Sequence, residues 1–299
     1  MPSHGFFIGK GGVGKSTTSA LTALALARAG RKVLLVSLDP AHNLADIFDT
    51  DLGRKPKAIR PGLLVAESDQ KYWTKQYLKG VEDQIKRAYT YQAAFNLQGH
   101  LSILRHSPGI EEYAMALAFN HYRHKYADVD HVLLDMPPTA LTMKFFSLPS
   151  LSLTWLEHLI ALRDEIVRRK NMVTRIRVGT ADVERDKIGN KLREQTAFYT
   201  DMRDLFQDPA TCRVRLVLNP EKLSRAEAAR IKDIMADLGM APIAVVVNKC
   251  GPGDDVGVAA LFPGVPAHAL SVACQPLTSL AALDGFLDDD PALETFLTF

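Results

Sequence analysis

The sequence predicts an α/β fold: a mainly parallel central sheet flanked by helices, with a helical subdomain formed by two insertions. Three observations carry this. Short apolar runs recur at residues 5–8, 32–38, 63–66, 131–134, 214–218, 243–247 and 267–272, and helical patterns separate them, the rhythm of βαβ units. Several of the runs are continuous Val, Leu and Ile, as in strands covered by helices on both faces. Two longer stretches, about 68–120 and 151–208, break the rhythm and read as helical; the first is rich in aromatics (Tyr72, Trp73, Tyr77, Tyr89, Tyr91, Phe95).

Length and charge bound what the chain does. Its 299 residues are 47% apolar and 23% charged, enough for a real core within one domain spanning 1–299. With 36 basic and 34 acidic residues the net charge is +2, so no general affinity for polyanions follows. No uninterrupted apolar run reaches about 18 residues, so no membrane-spanning helix is expected. The N-terminus passes from Met1 straight into a Gly-rich turn, without the apolar region of a secretory signal. Cys212, Cys250 and Cys274 are odd in number and far apart, fitting neither a disulfide framework nor a CxxC metal site. A cytoplasmic protein is the economical expectation.

The first strand leads into Gly9-Lys10-Gly11-Gly12-Val13-Gly14-Lys15-Ser16, and a helix runs from near Ser16 to Gly30. This is G-x-x-x-x-G-K-[ST] in its strand–loop–helix setting, the signature of a P-loop NTPase. Glycines let successive N–H groups of Gly11, Gly12, Val13 and Gly14 turn toward a phosphate with no Cβ in the way. The helix N-terminus, including Thr17, adds its partial positive charge. Lys15 is placed to reach the β- and γ-phosphates of ATP, and the Ser16 hydroxyl to ligate Mg²⁺. Gly9, Gly11 and Gly14 also spell G-x-G-x-x-G, with Asp39 ending the second strand as in a dinucleotide site. Lys15-Ser16-Thr17 decides for the P-loop, because a pyrophosphate on a dinucleotide turn needs no buried lysine. Farther along, Ser224 and Glu227 predict a capping box for a helix running to about Leu238. The acidic run 288–290 reads as a solvated turn or helix start.

Six segments in order then resemble one family. Lys10 at the head of the loop matches the deviant Walker A pattern K-G-G-V-G-K-[ST]. Ser37-Leu38-Asp39-Pro40-Ala41-His42-Asn43-Leu44-Ala45-Asp46 resembles the switch I segment of the arsenite-pump ATPase (ArsA) and tail-anchored-protein targeting ATPase family. Asp135-Met136-Pro137-Pro138-Thr139 resembles its switch II, and Ser107-Pro108-Gly109-Ile110-Glu111-Glu112 its P-G-x-[DE]-E element. Leu148-Pro149, the segment Val217-Leu218-Asn219-Pro220 and Val246-Val247-Asn248 follow in the family's order.

The resemblance implies an Mg-dependent ATPase working as a homodimer. In it, Lys10 reaches the partner's phosphates as an arginine finger does, a contribution of about 10³–10⁵ in rate when supplied in trans. It assigns Asp39 to the attacking water, with a turn-capping role before Pro40 as the plainer alternative. Asp135 is expected to hold Mg²⁺ through water, or else to serve as a turn residue. Asn248 is expected to read the adenine edge, or else to make an ordinary strand-end turn, with Pro276 and Leu277 packing near the base. His42 and Asp46 either couple hydrolysis to motion or simply pack.

Departures from the family pattern fall mostly at the switches. Ala140 and Leu141 stand where the family has Gly-His, Lys144 where Arg is common, and Leu38 where Thr is usual. The single P-loop and the absence of cysteines from the helical stretches argue against arsenite transport and for a homodimer.

Two partner classes are in view. Targeting members shield a transmembrane segment in a helical groove, for which Leu148, Leu151, Leu153, Trp155, Leu156, Leu159, Ile160 and Leu162 offer one wall, with Met115, Met143 and Met172 as adaptable lining; the alternative is core packing. The client is then a transmembrane helix or membrane protein. A ParA/MinD-like positioning ATPase acting on DNA or membrane is the other class; the switch I segment and the acidic end of the chain disfavour it, and nucleic acid with it. Arg168, Arg169, Lys170, Arg175 and Arg177 form a basic cluster that either touches anionic lipid or nucleic acid or is a solvated face.

Overall fold

The computed structural model describes residues 2–41, 43–88, 109–178, 187–251 and 257–298. The expectations placed on His42, Tyr89, Tyr91, Phe95, Ser107 and Pro108 lie outside the described residues, as do the side chains of Lys170, Arg175 and Arg177. The strands are β1 (Ser3–Ile8), β2 (Val33–Ser37), β3 (Lys57–Arg60), β4 (Leu63–Glu67), β5 (His131–Asp135), β6 (Cys212–Leu218), β7 (Pro242–Cys250) and β8 (Ala267–Ser271). The helices are α1 (Lys15–Arg28), α2 (Asn43–Phe48), α3 (Gln70–Ala88), α4 (Ile110–Lys125), α5 (Thr139–Val178), α6 (Lys187–Gln207), α7 (Lys222–Asp237), α8 (Val258–Leu261), α9 (Leu280–Asp288) and α10 (Pro291–Thr298).

One sheet runs in the order β3-β4-β2-β5-β1-β6-β7-β8. Every neighbouring pair is parallel except β3 with β4. Pleating sends successive side chains to opposite faces, so the apolar runs supply two cores at once. Phe6, Ile8, Leu34, Val36, Val132, Leu134 and Leu216 pack under α4, α5, α6 and α7. Phe7, Val33, Leu35, Leu133, Val217 and Val246 pack under α1, α2, α9 and α10. Phe6 anchors the first core, its ring 5.6 Å from Phe119, 5.2 Å from Phe146 and 5.8 Å from Phe206. Burying each such ring contributes about 1.5–3 kcal/mol, and together they fix three helices to the central strand. In the second core α1 is buried nearly all round, from Thr18 to Ala27, because α9 and α10 cover the side a two-layer fold leaves wet.

The expected strands are all present, and β3 is an addition. Its sequence, Lys-Ala-Ile-Arg, is a polar edge pattern with no apolar run to announce it. The capping box is not formed. The helix starts at Lys222, earlier than expected; Ser224 is already inside it and accepts a hydrogen bond from Asn219 N at 3.1 Å, while Glu227 bonds Thr139. The second helical stretch begins at Thr139 rather than near Leu151, because α5 runs unbroken through Pro149. Proline there removes one ladder bond, and the buried flank of the helix holds the two halves together.

The expectation of no membrane-spanning helix has one stretch to be set against it. Among the described residues one helical stretch, Thr139–Arg169, is long and apolar enough by composition, with a mean hydropathy of 1.2 over its best window. Counting uninterrupted runs missed it because Lys144 and several serines and threonines interrupt it. Its first turns are part of the sheet's own core, where Phe145, Phe146 and Leu148 are buried, and Leu153 and Leu156 farther along are buried as well.

His4 offers a test of this core. The ring is buried against Phe119, and burial lowers its pKa to about 4, assisted by the charge of Arg123 and, more weakly, by His124 and the N-terminus. A histidine held neutral destabilises the fold once the unfolded chain takes up a proton. Its stability contribution is complete above the unfolded value of 6.5 and lost as pH falls toward 4. Between pH 7 and pH 5 the protein is therefore expected to lose on the order of 2 kcal/mol more than a His4→Phe variant. Urea melts at the two pH values check this; parallel losses would show that His4 is not the group responsible.

Candidate functional site

β1 ends at Ile8 in the middle of the sheet, and the next residues must turn back at once without meeting β6 and β7. Gly9 does so at φ +150°; a Cβ there would stand 2.0 Å from the Val217 carbonyl oxygen. Gly14 caps α1 in the left-handed region (φ 95°, ψ 30°), where a Cβ would stand 2.1 Å from Asn248 Nδ2. Gly14 has no side chain to cap the helix, so the first N–H groups of α1 remain available to an anion. Thr18 closes the turn from behind, its Oγ1 donating to the Gly14 carbonyl at 2.8 Å. Thr17 is half-buried in the first turn, and Gly11 and Gly12 stand exposed at the loop tip.

Three parallel strands converge on this loop. Register sets Asp135, the last residue of β5, beside Phe7 on β1 and Ser37 on β2. Asp135 is fully buried, and its Oδ2 accepts from Ser16 Oγ at 2.8 Å and Ser37 Oγ at 3.2 Å. Burial drives its pKa up to about 6 against the pull of those hydroxyls and of Lys15, and its Oδ1 is buried with no hydrogen-bond partner among the described residues. A sealed carboxylate oxygen next to a serine hydroxyl, at the foot of a phosphate loop, suits a hard divalent cation with its waters. The residues present fit Mg²⁺.

Lys15 is buried, its Nζ donating to the Lys10 carbonyl at 3.3 Å. Burial lowers its pKa, and Asp135, Asp39 and Glu227 oppose that loss. The ammonium thus lies in the field of three carboxylates while bonded to the loop's own backbone. Lys10 is half-buried, and its own ammonium makes no ion pair with a described residue. Asp39 is nearly buried after β2; its Oδ1 accepts from Ala41 N at 3.0 Å, the turn-capping bond, and its N–H donates to Ser37 Oγ at 3.2 Å. That leaves Oδ2 without a described partner.

Asn248 stands at the end of β7 with its amide committed to the loop: Nδ2 donates to the Val13 carbonyl at 2.9 Å, and Oδ1 accepts from Lys249 N at 2.9 Å. Pro276 is exposed in the loop after β8, and Leu277 packs on the second core.

The site contacts of two residues escaped the sequence reading, one of them read only as half of a capping box. Glu227 on α7 accepts from Thr139 Oγ1 at the start of α5, tying switch II to a second helix on the same face of the sheet. Glu67 at the end of β4 accepts from Ala45 N at 2.9 Å and holds α2 in place. Neither sits in a nucleotide-binding motif; the packing of the fold brings them in. The departures noted at Leu38 and Leu141 meet in space: with Pro40, Trp73 and Met115 they line one small cavity between the two switch segments and α4. Lys144 on α5 pairs with the buried Glu112 on α4 at 3.4 Å. Among the described residues no three His, Cys, Asp or Glu side chains gather as a metal cluster, and burial pushes the Cys212 thiol up to about 12.

A sequence model of the anion-transporting ATPase family matches residues 4–258, most of the chain. This chain belongs to the anion-transporting ATPase family. It is an ATP-hydrolysing P-loop enzyme of the ArsA type. It is similar to an ATPase ASNA1 homolog of Entamoeba dispar, 32% identical over 256 residues, covering 84% of this chain and 77% of that protein. It is also similar to a putative arsenical pump-driving ATPase 2 of Aquifex aeolicus, 30% identical over 250 residues, covering 83% and 80%. An arsenical pump-driving ATPase of Acidiphilium multivorum is 29% identical over 256 residues, which make up 84% of this chain but only 40% of that protein. The positioning-ATPase alternative gains no support from these matches.

Gly9→Ala is expected to cost about 3 kcal/mol or more of stability, because the atom opposing the new Cβ is backbone. Gly14→Ala is expected to cost less stability, since the opposing atom ends a side chain, yet to weaken ATP binding about tenfold or more. Denaturant melts and titration with a fluorescent ATP analogue check the pair; an unchanged nucleotide affinity in Gly14→Ala would refute the tight-contact reading of the loop.

Proposed function

We propose that this ATPase is a homodimer in which the nucleotide cycle reshapes a surface for a membrane-protein client, and that it works in the cytoplasm. One observation carries the reading. The same helix, α5, starts at switch II immediately beyond Asp135 and, farther out, turns Leu151, Trp155, Leu159, Leu162 and Ile166 to the outside, from 41% to 69% exposed. These recur at three- and four-residue spacing, one stripe on one helix. The groove residues expected from sequence therefore divide: Leu148, Leu153, Leu156, Met115 and Met143 are buried, Leu151, Trp155, Leu159 and Leu162 lie on the stripe, Met172 is exposed farther along, and Ile160 is half-buried away from it. The ends of α3, α4, α5 and α6 beyond the sheet serve as the client-binding subdomain.

In the proposed cycle ATP is the substrate. The N–H groups of residues 11–16 cradle its phosphates, and Lys15 leaves the Lys10 carbonyl to neutralise them. Ser16 and Asp135 hold Mg²⁺, which supplies positive charge to the phosphate oxygens when bound. Asp39 keeps its turn-capping bond through Oδ1 and orients the attacking water with Oδ2. Lys10 of each subunit enters the partner's site. Asn248 offers its remaining amide valences to the adenine edge, with Pro276 and Leu277 beside the base. Loss of the γ-phosphate releases Asp39 and Asp135, whose segments are joined by the bond from Leu38 N to the Asp135 carbonyl at 2.9 Å, and α5 shifts with them.

The relatives carry two kinds of name: some are called ASNA1 homologs, others putative drivers of an arsenical pump. The described helices hold no cluster of cysteines for a thiophilic cargo, which suits the first role better.

Lys10→Ala is expected to lower turnover about a hundredfold or more while leaving the melting temperature unchanged. Asp39→Asn is expected to bind ATP normally, stop hydrolysis and accumulate as a dimer on size exclusion. Normal phosphate release by either variant removes that residue from its role. A photocrosslinker at Trp155 is expected to capture proteins bearing a transmembrane segment; capture of soluble proteins alone would end the client proposal.

A further inference from the structure

The end of β7 carries a feature that the nucleotide motifs leave unexplained. Lys249 has φ +60°, a region that residues with a Cβ seldom occupy, and Asp49 is the other non-glycine residue there among those described. The pairing of β7 with β8 also shifts register between Val247 and Cys250, so residues 248 and 249 lie in a bulge. In a regular strand consecutive side chains point to opposite faces. Here both reach the phosphate loop. Asn248 Nδ2 holds the Val13 carbonyl at 2.9 Å, and Lys249 Nζ holds the Gly12 carbonyl at 3.1 Å. The strained residue is tied in place by its own N–H, which donates to Asn248 Oδ1 at 2.9 Å.

The geometry of the peptide unit gives these two contacts a consequence. In a trans peptide the carbonyl of one residue and the N–H of the next point in opposite directions, and no described bond is cis. Drawing the Gly12 and Val13 carbonyls toward β7 therefore aims the Val13 and Gly14 N–H groups away from it, to the side where phosphate binds. The loop tip has little else to hold it: a Cβ built on Gly11 or Gly12 meets nothing within 4 Å. Two adjacent glycines left untethered would sample many conformations, and binding would have to order them.

We propose that Lys249 is a positioning residue. Acting through the Gly12 carbonyl, its ammonium presets the phosphate-facing amides of the loop, and so sets the affinity for the polyphosphate chain rather than for the nucleoside. This rests on the nucleotide site described above and adds to it a residue outside the P-loop and both switches. The bulge and the left-handed turn exist to put two neighbouring side chains on one loop.

The test compares ATP, ADP and adenosine binding, by competition against a fluorescent ATP analogue and by calorimetry, in the full-length protein. Lys249→Met is expected to weaken ATP and ADP by a common factor of about 3–10 and to leave adenosine within about twofold. Lys249→Arg, which keeps a cationic donor, is expected to stay within about threefold of the unaltered protein for all three. Lys249→Gly is expected to lose the same ATP affinity as Lys249→Met yet to melt at a higher temperature, because glycine accepts the left-handed turn. An equal loss for adenosine and ATP would make Lys249 a structural brace and overturn the inference, as would unchanged ATP affinity in Lys249→Met. If the unaltered protein binds no ATP, the functional reading itself fails and the inference falls with it.

Discussion

The space between the end of β1 and the ends of β6 and β7 is too narrow for a side chain, and the rest of the site follows from that. Gly9 lies against the Val217 carbonyl and Gly14 against Asn248, each closer than any Cβ would allow. The loop can leave the sheet only along a path where its amides face one way and its carbonyls the other. α1 then starts where the loop ends, directed by a residue that leaves its first N–H groups uncapped. Anion affinity here is a property of the backbone, enforced by packing, and the side chains of Lys15 and Ser16 refine it.

The price of this arrangement is buried charge. Asp135 sits at the centre of the sheet with one oxygen unpartnered among the described residues, and Lys15 loses part of its hydration beside it. Such a group is poorly solvated while the site is empty and is made favourable by the ligand that completes it. The two deep cores, with Phe6 and its four aromatic neighbours on one side and α1 under α9 and α10 on the other, give the stability against which that local deficit is held. Functional strain and structural surplus therefore sit within one strand of each other.

The sequence made the central strands and the P-loop legible because their signals are local: a continuous apolar run, or a glycine spacing that admits one loop. It concealed what depends on distant partners. β3 forms because β4 offers an edge, and its own residues do not announce it. Ser224 and Glu227 look like a capping box, but Asn219 and Thr139 compete for them more effectively. α5 passes through Pro149 because the core on its inner flank outweighs one missing ladder bond. At the site, Lys10, Lys15, Ser16, Asp39 and Asp135 were readable from motifs. The engagement of Asn248 and Lys249 with the loop was not, since a bulge changes which way a strand residue points.

The small cavity between Leu38, Pro40 and Leu141 has a practical meaning. Trp73 forms part of its wall, nearly buried and with an indole N–H that finds no described acceptor. Indole emission is sensitive to local polarity, and the two segments facing this ring are the ones proposed to contact nucleotide. The protein thus contains an optical gauge of its own working cycle. Its second tryptophan, Trp155, lies out in solvent on the apolar stripe, where it would register occupancy of that surface instead.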